Sequence, residues 1–225
     1  MVGFALISAA LTGALAYTKA SSEMVTAAEN KLEALMDGRK AELQRYLDSI
    51  DQDSRILAGM KTMADAMTEL NYGFNTLKES GKNPESVLQK LYVSGNPHPP
   101  GKRKALLGPD DGTDYNYSHA RYHEWLRHIM ETRGYRDLFL IDRDGRVIYT
   151  VEKEPDFAIT LTDAQWKDGP LGQIFQRARQ AGKADTTILV DFQPYAPSNG
   201  EPAGFIGAPV WNDGAFAGVL VFQLP

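Results

Sequence analysis

The chain of 225 residues has no cysteine, which removes disulfides, thiolate metal sites and a cysteine nucleophile together. Basic residues are in the minority, 24 Lys and Arg against 29 Asp and Glu, for a formal charge of −5. A general nucleic-acid binder needs a basic face, so no nucleic-acid partner is expected. There is no glycine-rich phosphate loop, and Gly200-Glu201-Pro202 is too short to be one. No serine stands in a nucleophile elbow. Asp142-Arg143-Asp144-Gly145 begins like a calcium loop but lacks the later ligands, so it reads as a turn. His119 and His123 have the i, i+4 spacing of metal ligands, but Ala120 stands where H-E-x-x-H has its glutamate. Both histidines are assigned to helix packing or loop contact. No cofactor, no metal and no enzyme activity are expected.

A long hydrophobic run with basic flanks is also missing. Residues 1–18, MVGFALISAALTGALAYT, are uncharged and mostly apolar, while a spanning helix needs about 20 such residues. The run is just long enough, or is the remnant of a longer one, and the basic residues that set orientation are absent. A membrane helix is the first reading, and a trimmed or misassigned start would account for the missing basic residues. A signal peptide cleaved at the small-x-small site Ala14-Leu15-Ala16 and a buried soluble helix are the alternatives. The first two readings put everything after about residue 18 outside the cytoplasm, in the periplasm or beyond the cell.

What is present is a helical front and a β-rich back. Residues 22–80 read as one long helix, broken at most once, starting at Ser21 or Ser22. Met36, Leu43, Ile50 and Leu57 recur every seven residues. A second row of Tyr46, Met60, Met67 and Phe74 is interrupted by Asp53. Such a period predicts packing along another helix, with a homodimeric stalk as the leading arrangement. Gly81 and Pro84 end the segment, and 84–93 is expected as a short helix with Pro84 near its first position. Residues 94–114, rich in Gly, Pro, Lys and Asp, read as a loop. Residues 118–133 then form a helix whose apolar face is Tyr122, Trp125, Leu126 and Ile129, closed by Gly134.

Five β-type runs follow, at 137–142, 146–151, 186–192, 204–211 and 215–224, with an amphipathic helix at 169–181 after the second. Asp144-Gly145 and Asp213-Gly214 are tight-hairpin signals. Pro209 makes the fourth run an edge strand or marks a bulge. The loop 191–200, DFQPYAPSNG, is proline-framed and rigid, and such loops orient small polar molecules over an apolar floor. Asp191 and Tyr195 are therefore candidate ligand contacts. Tyr122, Trp125, Tyr149 and Phe205 are candidates to line the same cavity.

A helix ending in Gly-Tyr, followed by D-L-F-L-I-D-R-D-G-R-V-I-Y-T-V, resembles the extracytoplasmic Cache (PAS-like) sensor domains of bacterial receptors. The run V-D-F-Q-P-Y-A-P-S-N-G-E-P-A-G-F-I-G-A-P-V, with its ending G-V-L-V-F-Q-L-P, is similar to the sensor region of methyl-accepting chemotaxis proteins. The resemblance covers 118–225, and the long helix by architecture alone. It implies an α+β fold: a long N-terminal helix, then a PAS-like five-stranded antiparallel sheet with flanking helices. It implies three parts: 1–18 as the membrane or signal segment, 19–117 as helices and loop, and 118–225 as the sensor module. In that family the chain continues into a second sensor module or a membrane helix and then a cytoplasmic signalling domain, so this sequence reads as the front portion of a receptor or a truncated product. The implied function is ligand sensing for a membrane-bound chemotaxis receptor in the cell inner membrane. The implied partners are a small molecule, the membrane and a second copy. Sensors of histidine kinases or nucleotide cyclases, and a secreted binding module, are the alternatives. Amino-acid-binding members carry an Arg-x-x-Trp-Tyr order on the helix, which Tyr122, Trp125 and Arg127 do not reproduce, so an amino-acid ligand is not expected.

Overall fold

The computed structural model describes residues 2–182 and 184–225. The chain divides into two units, one up to Ser49 and one from Ile50 onward. The first unit is a single stretch of helix α1 (Val2–Ala58). From Gly3 to Tyr46 every residue whose exposure is described is solvent-exposed. It is held by its own backbone ladder and by local pairs such as Arg39–Glu42 at 2.7 Å and Gln44–Asp48 at 2.9 Å, each worth a few tenths of a kcal/mol. Ser21 and Ser22 lie inside α1 rather than at its start, because nothing in 2–58 breaks the helix. Among the described residues no helix is long and apolar enough to cross a membrane.

The second unit begins with the last turns of α1. The single break in the long helix falls at Gly59–Met60, before α2 (Lys61–Glu79). The lower part of the seven-residue rows is spent inside this unit. Ile50, Met67 and Phe74 are buried, and Leu57 is packed against the core. Asp53, the interruption in the row, accepts hydrogen bonds from Arg133 at 2.7 Å and from the Tyr135 hydroxyl at 3.2 Å. It anchors the row rather than spoiling it.

The expected short helix is split, with α3 (Pro84–Leu88) passing into a wider π-type turn at Gln89–Ser94. Helix α4 (Asp114–Arg133) starts one turn earlier than expected. Thr113 caps it by accepting the Asn116 N–H, and Gly134, at φ 74°, closes it in the left-handed conformation that favours glycine.

Strands β1 (Asp137–Asp142), β2 (Val147–Thr150), β3 (Ile188–Pro194), β4 (Pro202–Asn212) and β5 (Ala215–Gln223) form one antiparallel sheet in the order β2-β1-β5-β4-β3, with α5 (Pro170–Ala181) between β2 and β3. This is the fold class read from the sequence, a long helix before a PAS-like five-stranded sheet with flanking helices. Asp213 and Gly214 both have positive φ, the conformation of a two-residue turn matched to strand twist. Of the two readings of Pro209, the edge strand is overturned and the bulge is the better one. Strand β4 lies inside the sheet, its register against β5 shifts between Val210 and Trp211, and Pro209 is tolerated because β3 pairs only as far as Gly207, so no ladder bond is lost on that side.

Strand alternation divides the side chains between two cores. Leu138, Leu140, Leu220 and Phe222 face α2 and α4, while Phe139, Ile141, Val219 and Val221 face α5. Gly207 lets α5 approach, since a Cβ there would lie 2.5 Å from Ile174.

Candidate functional site

The inward stripe of α4 is not purely apolar. Tyr115, His119 and His123, at i, i+4 and i+8, are buried along it with Leu126 and Met130, whereas Trp125 and Ile129 are only half-buried. Both histidines do sit in packing and loop contacts. The loop before α4 supplies two carbonyls, Leu107 O at 2.7 Å from His119 Nδ1 and Lys104 O at 2.7 Å from His123 Nε2. A carbonyl only accepts, so those two nitrogens carry the protons. Burial, aided by the Lys153 charge, lowers His119 well below the usual imidazole range and lowers His123 to about 3. Each ring is therefore neutral with one proton. His123 Nδ1 then accepts from the Tyr149 hydroxyl at 2.7 Å. His119 Nε2 is left as a bare acceptor, buried and without a partner among the described residues.

The segment after β2 folds back beneath these rings. Lys153 is 1% exposed and sits at φ 58°, a left-handed conformation uncommon for a non-glycine residue. Its Nζ donates to Thr150 O and lies 4.2 Å from the ring centre of Tyr149, 5.3 Å from Phe157 and 5.8 Å from Tyr92. Tyr92 also packs against Tyr115 and His119. Asp137, at the start of β1, accepts the backbone N–H groups of Leu138, Val151 and Glu152 on Oδ1 at 2.7–3.1 Å. Its Oδ2 has no partner among the described residues. Burial, with Asp156 adding to it, raises the Asp137 carboxyl, and burial lowers the Lys153 ammonium, which Asp137 supports in return.

Asp156 is wholly buried, accepts from the Tyr195 hydroxyl at 2.6 Å on Oδ2, and also keeps Oδ1 unpartnered. Burial pushes it up to about 7. Each buried polar group without a partner costs about 1–3 kcal/mol, and a stable core rarely tolerates several together. Among the described residues, no three His, Asp or Glu side chains gather in a way that would hold a metal ion.

The six residues singled out from the sequence are separated by the sheet. Tyr149 lies in the polar cluster. Tyr122 turns its hydroxyl to Glu69 on α2 at 2.9 Å, and Trp125 packs on the outer flank of the same core. Phe205 and Tyr195 stack edge to face at 4.9 Å on the other face, under α5. They do not line one cavity with Tyr149, because alternation along β4 turns Phe205 away. Asp191 is exposed at an irregularity in edge strand β3, where its Oδ1 accepts the Phe192 N–H at 2.7 Å. Tyr195 meets the cluster indirectly, through Asp156, next to Phe157. The sequence reading missed Lys153, Asp137, Asp156, Tyr92, Tyr115 and Phe157. The available signal was the Tyr115–His119–His123 spacing, which lays three polar rings on one helix stripe.

No family model and no curated protein matches the chain. Among solved structures it is similar to the sensor domain of the V. cholerae histidine kinase DctB, with 15% identity over 85% of this chain and 56% of that one and a TM-score of 0.40. It is also similar to the sensory domain of the Campylobacter jejuni chemoreceptor Tlp3, with 14% identity over 81% and 63% and a TM-score of 0.36. A third is the ligand-binding domain of the Pseudomonas aeruginosa amino acid chemoreceptor PctC in complex with GABA, with 18% identity over 67% and 60% and a TM-score of 0.33. These are sensor and ligand-binding domains of chemoreceptors and of a histidine kinase. The chain spans less than two thirds of each.

Proposed function

We propose that the chain is the extracytoplasmic ligand-sensing portion of a membrane-bound signal-transduction receptor of the chemotaxis type, and that its ligand binds between α4, β2 and the segment 151–158. The observation that carries this reading is the set of unpartnered polar atoms, His119 Nε2, Asp137 Oδ2 and Asp156 Oδ1, buried on the side of the sheet that holds Tyr92, Tyr115, Tyr149 and Phe157. Ligand pockets combine an aromatic lining with a few convergent polar groups, and a ligand meeting those atoms recovers what the fold forgoes. A histidine kinase sensor would use the same site, and the output domain is what separates the two readings.

Two further parts of the proposal rest on α1. Met36 and Leu43 remain 65% and 58% exposed, which supports a homodimer through the upper rows of the helix. Phe4, Ile7, Leu11 and Leu15 are exposed on a helix of uncharged sequence, which supports a membrane tether. A chain that sediments as a monomer at every concentration would overturn the dimer, and failure to float with lipid vesicles would overturn the tether.

The site is tested by thermal unfolding of the full chain against organic acids, amino acids, amines and purines. A ligand at 100 times its dissociation constant adds about 2.7 kcal/mol, a rise of roughly 5–10 °C at this size. We expect one chemical class to raise the midpoint and His119→Leu to abolish the rise. A rise that survives His119→Leu places the ligand elsewhere.

A further inference from the structure

We infer that this site takes a small organic ammonium ion, and that Lys153 is an internal cation holding the ligand's place; the inference rests on the ligand site proposed above.

Hydrogen-bond bookkeeping is the first support. The carbonyls of Leu107 and Lys104 fix the histidine protons on the loop side, so His119 offers the chamber a lone pair. Asp137 Oδ2 and Asp156 Oδ1 are also without partners, and each becomes an acceptor when a bound cation ionises its carboxyl. The tyrosine hydroxyls are already committed as donors, Tyr149 to His123, Tyr115 to Ile148 O and Tyr92 to Asn116. The unpartnered donor at this end, Arg103 Nε, belongs to a half-buried guanidinium that points NH1 at Lys153 O. What the chamber needs is a donor of several hydrogen bonds, and an ammonium group supplies up to three.

The rings are the second support. Tyr149, Phe157 and Tyr92 surround a cation at 4.2–5.8 Å, the arrangement by which proteins recognise ammonium ligands. Lys153 fills it imperfectly. Its tether limits its bonds to Thr150 O, and neither His119 Nε2 nor Asp137 Oδ2 receives one. Burial also lowers its affinity for its proton. A free ammonium ion carries no such tether.

Two cations do not share one cage, so binding expels the Lys153 side chain. The flanking residues Glu152, Glu154 and Pro155 reach solvent, which gives the ammonium somewhere to go. Expulsion would pull on 151–158, and through Asp156–Tyr195 and Glu154–Ser198 on the turn between β3 and β4. A ligand's arrival is thereby converted into movement of a segment that is hydrogen-bonded to the turn between β3 and β4.

The test uses the full chain, wild type and Lys153→Ala, in thermal unfolding with n-butylammonium chloride. Butyrate, n-butanol and sodium chloride at matched concentration are the controls. Removing the competing lysine should tighten n-butylammonium binding by about tenfold or more, with butyrate and butanol inert, and Tyr149→Leu should cancel the effect. If Lys153→Ala does not fold, Lys153→Ser, which also clears the cage, is read in the same way. Stabilisation by butyrate that depends on His119 overturns the ammonium class and leaves the site standing. Stabilisation by n-butylammonium that ignores Tyr149→Leu, or none by either compound in any variant, overturns the class and the site together.

Discussion

One sheet in this molecule has two faces built on opposite plans. The α5 face is hydrocarbon nearly throughout: Phe139, Ile141, Val219 and Val221 from the strands meet Leu171, Ile174 and Phe175 from the helix. The α4 face starts in the same way, with Leu138, Leu140, Leu220 and Phe222, but toward β2 it buries a lysine, an aspartate and two histidines among tyrosines. A lysine is almost never fully buried unless paired, and an unpartnered acceptor costs about 1–3 kcal/mol. The α5 face therefore supplies stability, and the α4 face forgoes some of it in buried polar groups without partners. A trade of stability for function is a familiar mark of binding sites, which agrees with the ligand site proposed for this face.

The sharpest break between the faces should appear at Phe205. It is fully buried under α5, 4.9 Å from Tyr195 and 6.2 Å from Phe139, ring centre to ring centre. Phe205→Ala should cost about 3–5 kcal/mol, read as a lower denaturant midpoint with unchanged slope, while any ligand-induced rise persists in the folded fraction. Loss of the ligand response with little change in stability would erase the distinction between the faces.

How much of this was visible in the sequence follows the same division. The strands were legible because period-two alternation and the Asp-Gly turns act locally: β1 falls at 137–142 as read, and β5 ends within one residue. The long helix was legible from the seven-residue rows, but the rows run on across Gly59–Met60 and did not place its break. The destination of those rows was not, because whether Ile50 and Phe74 meet a second copy or their own domain depends on how the chain folds back. The polar chamber was the least legible part. Lys153 stands in V-E-K-E-P-D-F, which reads as a solvated turn, and only closure of α4 over that turn buries it. The proline-framed loop 191–200 drew the prediction of a ligand contact. In the structure that loop holds Tyr195 against Asp156.

That hydrogen bond joins the two faces, and pH can separate their contributions. Burial raises Asp156 to about 7 from the ordinary aspartate value of 3.8. Between those values the folded state holds a proton that the unfolded state releases, so stability from this group is greatest at low pH and falls as pH rises to about 7. The buried neutral histidines work in the opposite sense. His123, lowered to about 3 from 6.5, loses stability as pH falls below 6.5. Asp156→Asn removes the first effect and leaves the second. Relative to wild type, the variant should gain stability as pH is raised from 5 to 7, by at most about 1.4 kcal/mol per unit. Denaturant midpoints at pH 5, 6 and 7 check this. Parallel profiles for the two proteins would mean that Asp156 is ionised throughout and that the α4 face is wetter than its burial indicates.

The smallest expected effect lies outside both faces, at Asp191. Its side chain is exposed on edge strand β3 and its hydrogen bond is to the next residue's own backbone, a contact that water replaces at little cost. Asp191→Ala should change stability by less than about 0.5 kcal/mol, as surface substitutions usually do, and should leave the ligand-induced rise at its wild-type size. The comparison is informative because Asp191 and His119 each present a polar atom on a rigid element, yet only the His119 atom is buried away from solvent, where an unmet hydrogen bond carries its full cost. If Asp191→Ala weakens the ligand response while His119→Leu does not, then binding takes place at the open edge of the sheet. The buried acceptors would then be a structural cost with no bearing on recognition.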